Sequence, residues 1–79
     1  LNRAVAIGFR DGPLEGLAAL HPLAGVLGRH HRYHAALAEF WRQSGDRERA
    51  IQSLEQALAL ATHPRDREFL AARRHTMSR

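Results

Sequence analysis

The chain has 79 residues, 44% of them hydrophobic, with no cysteine and a net charge of +4. That length holds one small domain whose core is marginal unless it stacks on something else, so a partner is expected from size alone. Lack of cysteine excludes disulfides, thiolate metal sites and thiol nucleophiles, and makes a reducing compartment, by default the cytoplasm, the simplest home.

In chain order, Leu1, Ala4, Val5 and Gly8 share one stripe at helical spacing, and "RDGP" breaks it. Leu14, Leu17 and Leu20 continue on a second helix that Pro22 kinks or ends, with residues 22–28 as an irregular link. Tyr33, Leu37, Phe40 and Trp41 then mark a helix over residues 30–44. Gly45 is free to take the left-handed conformation that ends a helix, and Asp46 is placed to cap the next one. Ala50, Ile51, Leu54, Ala57, Leu58 and Ala61 form the apolar face of that next helix, antiparallel to its predecessor. Pro64 suits the first turn of a last helix over residues 64–75, where Asp66 favours the positive end. Phe69, Leu70 and Met77 should supply the buried side with which it packs back on the hairpin. Nothing reads as a strand, so the expected fold class is all-α, built of antiparallel helical hairpins. Phe40, Trp41 and Phe69 are expected in the core, where Trp41→Ala would cost about 3–5 kcal/mol.

All 12 basic residues are arginine, which could suggest phosphate contacts. Their distribution argues otherwise: Arg47 and Arg49 alternate with Asp46 and Glu48, and Arg65 and Arg67 with Asp66 and Glu68, as on solvated helix faces. No apolar run nears the ~20 residues that span a bilayer, and "LNRAVAIGFRDG" lacks the order of a signal peptide. Beginning at Leu1, the sequence reads as a piece of a longer protein.

Three of the six histidines crowd into "GRHHRYHAAL". His30 and His34 are spaced i to i+4, but a closed zinc site needs about four ligands, and Glu39 is not on their face. The expectation is therefore no metal, with His30 and His31 in a first helical turn and His34 beside Tyr33. There is no phosphate loop and no nucleophile beside a base, so neither catalysis nor a cofactor is expected.

Shifting the sequence by 34 positions places Ala4 on Ala38, Ile7 on Trp41, Gly16 on Ala50, Leu17 on Ile51 and Leu20 on Leu54, and 34 is the tetratricopeptide period. From His31 onward the chain resembles one tetratricopeptide repeat, carried by Leu37, Ala38, Trp41, Gly45, Ala50, Leu54 and Ala57. His34 replaces the usual early tryptophan, and the closing proline comes late, at Pro64. The expected organisation is a single helical domain: a degenerate partial repeat over 1–29, a tetratricopeptide-like hairpin over 30–63 and a capping helix over 64–79. By resemblance to the groove of such repeats, Arg32, Ala35, Glu39, Arg42 and Gln43 form a polar stripe fit to clamp the carboxylate or backbone of a partner peptide. The alternative for these five is an ordinary solvated helix face.

A further resemblance covers nearly the whole chain. The block Leu1 to Ala6, "DGP" at Asp11 to Pro13, the pair Tyr33 and His34, and the block Ala57 to Arg74 resemble the C-terminal extension of extracytoplasmic-function RNA polymerase sigma factors with tetratricopeptide-like tails. The resemblance implies an accessory domain of a bacterial transcription initiation factor, with DNA read by upstream modules rather than by this segment. It also implies a protein partner, either RNA polymerase or those upstream modules, and no membrane. Such tails often carry a leucine- and arginine-rich run where Phe40 to Ser44 stand here. The alternative function is a stand-alone tetratricopeptide scaffold for protein binding, and a domain this short could also stack on its own copy as a homodimer.

Overall fold

A computed structural model describes residues 1–78, and among them every regular element is helical. The elements are α1 (Asn2–Asp11), α2 (Pro13–Leu20), a 3-10 turn (His21–Leu23), α3 (Ala24–Leu27), α4 (His31–Gln43), α5 (Arg47–Leu60) and α6 (Pro64–Met77). The molecule measures 29 × 27 × 17 Å, and a thickness of 17 Å is that of two helices laid side by side. Helices stack in the order α1, α2, α4, α5, α6, each on its predecessor, which is the all-α, tetratricopeptide-like arrangement expected.

A single residue, Gly12, links α1 to α2. Its φ of 114° and ψ of 163° lie in a region that residues with a Cβ rarely enter, and Pro13 opens α2 at once. Reversal that tight presses α1 on α2, and the contact is made by glycines: a Cβ on Gly16 would stand 2.8 Å from the Cα of Gly8. The ring of Phe40, 1% exposed, lies over both glycines and meets Phe9 edge-on at 5.8 Å. Absence of two side chains thus makes the notch that α4 fills with one large ring.

Residues 22–28 are more regular than expected. Pro22 takes the first turn of a 3-10 helix, where its missing N–H breaks no bond, and the path runs on into α3. Leu14, expected on the apolar stripe of α2, is 66% exposed, whereas Leu20 is fully buried.

α4 ends as its sequence indicates. Asp46 N–H donates to Trp41 C=O and Gly45 N–H to Arg42 C=O, with φ of 89° at Gly45, which together form a Schellman motif. Asp46 then accepts from Arg49 N–H at 3.0 Å and caps α5. His63 Nδ1 accepts from Arg65 N–H to cap α6, which runs two residues past the expected end at residue 75.

Two apolar clusters share α4 as their common wall. On one side Tyr33 and Phe40 join Ala4 and Leu20; on the other Ala38 joins Leu54, Ala57, Ala61 and Leu70. Ala38, Ala50 and Ala57 are at most 2% exposed, so small side chains do lie where helices approach closely. Phe69 is not in the core: it is 61% exposed, because Leu70 takes the inward position on α6 and the adjacent residue must then face outward. Trp41 is half-buried, its outer ring face covered by the Arg49 guanidinium at 5.0 Å.

Candidate functional site

α4 and α6 both rest on α5 and face each other across a groove. Its floor is made by Ala35 and Ala38 of α4, Leu54 of α5, and Leu70 and Met77 of α6, and it encloses about 200 Å³. A second hollow of about 330 Å³, bounded by Arg42, Phe69, Ala72, Arg73 and Thr76, extends along α6. Beyond it Arg42, Gly45, Arg47, Thr76 and Met77 bound an open end of about 370 Å³.

Of the five expected stripe residues, the structure gathers four here. Ala35 is part of the floor, and Glu39, Arg42 and Gln43 form one polar network on the rim. Arg42 donates Nε–H to one Glu39 oxygen at 3.1 Å and Nη2–H to the other at 2.7 Å, a bidentate pair. Gln43 adds a bond at 2.7 Å, and Arg73 reaches across from α6 to Glu39 Oε1 at 2.5 Å. Hydrogen bonds from Arg42 above all, then Gln43 and the charge of Arg73, hold the Glu39 carboxyl down to about 2, against the opposing effect of its partial burial. Arg32 is exposed and joins no part of this network.

Phe69 and Arg73 belong to the site although the sequence placed one in the core and singled out the other for nothing. Arg73 lies over the Phe69 ring, its guanidinium carbon 5.7 Å from the centroid. The signal that finds them is the repeat itself: adding 34 to Ala35 and Glu39 gives Phe69 and Arg73. Matching positions of successive first helices line the same groove, and the Arg73–Glu39 bond joins residues 34 apart.

Two of the three clustered histidines make contacts that hold helices together. His34 donates its Nε2 proton to Gly28 C=O at 2.7 Å, since a carbonyl only accepts, and its ring meets Tyr33 edge-on at 5.2 Å. Tyr33 in turn donates its buried hydroxyl to Leu20 C=O at 3.1 Å, securing the end of α2, and burial pushes its phenol pKa up. His31 Nε2 lies 3.4 Å from Asp66 Oδ2, a second tie between α4 and α6, while His30 is exposed before α4. Among the described residues no three histidine, aspartate or glutamate side chains gather as metal ligands. Nor is any helix among them long and apolar enough to cross a membrane.

Residues 34–68, which comprise most of α4, all of α5 and the first turn of α6, match the tetratricopeptide repeat family. The chain is 34% identical over 70 residues to an uncharacterized protein of Rhizobium meliloti (strain 1021), a match that covers 89% of this chain and 16% of that protein. The chain therefore spans about a sixth of the relative's length. No solved structure matches it.

Proposed function

We propose that this stack of helices is a protein-interaction scaffold that seats a segment of a partner in the groove between α4 and α6. The observation that carries it is Phe69: a large aromatic ring, 61% exposed, stands beside an apolar floor and between the arginines of two facing helices. Exposed aromatic and arginine side chains around a concavity are what binding surfaces concentrate, whereas a solvated helix face has no use for them. The tetratricopeptide match supports the same role, since repeats of this type bind proteins and are typically not catalytic. We assign the chain no enzymatic activity and propose the cytoplasm as its location.

Random peptides displayed on phage and selected on the purified chain test this, with the winning peptides mapped by amide shifts in NMR. Shifts at Ala35, Glu39, Phe69 and Arg73 are expected, and Arg42→Glu should change affinity. Shifts confined to α1 and α2, or unchanged affinity in Arg42→Glu together with Phe69→Ala, would refute the placement.

A narrower role, as the accessory tail of an extracytoplasmic-function sigma factor that meets RNA polymerase or its own upstream modules, rests on sequence blocks alone: Leu1 to Ala6, Asp11 to Pro13, Tyr33 with His34, and Ala57 to Arg74. The scaffold role has the broader support, from fold and repeat match together. Sequencing the gene upstream of the Leu1 codon decides between them. Two promoter-reading helical modules would support the narrower role, and further repeats would rule it out.

A further inference from the structure

Charge on the groove rim is unbalanced. Among the described residues, two arginines of the rim, Arg42 and Arg73, face one carboxylate, Glu39. Both arginines that hold Glu39 have side chains more than two-fifths exposed, at 47% and 44%, so each can turn toward a second carboxylate without unfolding anything. Glu39 is the more enclosed partner, at 22%, and both its oxygens are used. The Arg73–Glu39 bond crosses above the apolar floor, and the Arg73 guanidinium lies over Phe69. The groove as it stands is thus strapped by an internal ion pair that covers part of its own apolar surface.

We infer that the groove takes an acidic segment with interspersed apolar side chains, and that Glu39 is an internal stand-in for that segment's carboxylate. The inference rests on the groove being the binding site and goes on to name its occupant. An incoming carboxylate accepts from Arg73 and the exposed edge of Arg42, Arg73 leaves Glu39, and an apolar side chain of the segment lands on Phe69, Ala35 and Met77. A basic segment meets two arginines and is repelled. A neutral apolar segment has no group to draw Arg73 off the floor. Because Glu39 stays ionised throughout the neutral range, the competition it sets is permanent, and it raises the threshold that a partner's acidity must pass.

Three fluorescein-labelled ten-residue peptides test this by anisotropy and amide shifts: alternating glutamate and leucine, glutamine and leucine, and lysine and leucine. The glutamate peptide should bind about tenfold tighter than the glutamine peptide, and the lysine peptide should show no binding. Glu39→Gln should tighten the glutamate peptide by a further factor of about five to ten and the glutamine peptide by less, since both gain the uncovered floor but only the first gains the freed arginine. Arg73→Met, made in case Glu39→Gln fails to fold, should abolish the preference for acid. If glutamate and glutamine peptides bind equally with shifts at Ala35 and Phe69, or Glu39→Gln fails to tighten the glutamate peptide, the inference falls and the groove stands. If no peptide shifts those residues, both fall.

Discussion

Gly8→Ala is the sharpest probe of how the two halves of this molecule are joined. On an exposed helix, glycine to alanine stabilises by about 1 kcal/mol, because alanine loses less backbone freedom on folding. At Gly8 a Cβ would stand 2.1 Å from Phe40 Cζ, 2.4 Å from Cε1 and 2.8 Å from Cε2, so the ring would have to move. The ring is 1% exposed, and the same part of it also meets Gly16, where a Cβ would lie 2.6 Å from Cε2, so the ring cannot slide along α1 and α2 to escape and must be forced into an enclosed core. Overpacking costs about 1–3 kcal/mol, and an approach of 2.1 Å takes the upper part of that range, so after the helical gain of about 1 kcal/mol we expect a net loss of about 1–2 kcal/mol. In a domain of this size that lowers Tm by roughly 5–10 °C. Gly25→Ala, with nothing within 4 Å of the added Cβ, is the control and should be neutral or stabilising. Urea unfolding followed by circular dichroism measures both. Phe40→Leu in the Gly8→Ala background should then cost less than Phe40→Leu alone, since the shorter side chain relieves the clash. A Gly8→Ala protein as stable as Gly25→Ala, or additive double mutants, would refute the notch.

Trp41→Ala should cost about 1–2 kcal/mol, below the value expected for a core tryptophan, because the ring is half-buried and part of its loss is the Arg49 contact; thermal melts check it. Phe69→Ala, by the same melts, should stay within about 0.5 kcal/mol of the parent, as exposed substitutions do. Glu39 ionises below its unfolded value of 4.5, so it stabilises the fold above that pH, and the benefit is lost as pH falls from about 5 to about 2. After allowance for solvent screening this is about 1 kcal/mol, and Glu39→Gln should flatten the stability profile over that window and nowhere above it. Tyr33→Phe leaves the Leu20 carbonyl without its buried donor and should lower unfolding free energy by about 1 kcal/mol in urea titrations.

The hairpin of α4 and α5 was legible in the sequence because its signals are local. Gly45 and Asp46 settle two helix ends within two residues, and the alanines at Ala38, Ala50 and Ala57 state where helices must come close. Phe69 and Leu70 show the limit of such signals. Adjacent apolar residues on one helix cannot both face inward, and which one does depends on where α5 lies against α6. The link over residues 22–28 failed for a related reason: proline is read as a breaker, yet at the start of a 3-10 turn it interrupts nothing. On the groove, the α4 half was visible as a polar stripe. The α6 half emerges only when the repeat offset is carried forward from Ala35 and Glu39, and the ion pair that closes the groove depends on two helices meeting in space.

The placement of Phe40 has a mechanical consequence. α4 holds the groove with one face and grips α1 and α2 with the other, through a ring that has no room to slide. The wall of the groove is therefore positioned from behind, by packing between α4 and the α1–α2 pair that touches none of the groove's own lining. Glycine at two positions makes the seat of that packing, and a single methyl group at either would push the ring, and the wall it anchors, out of place.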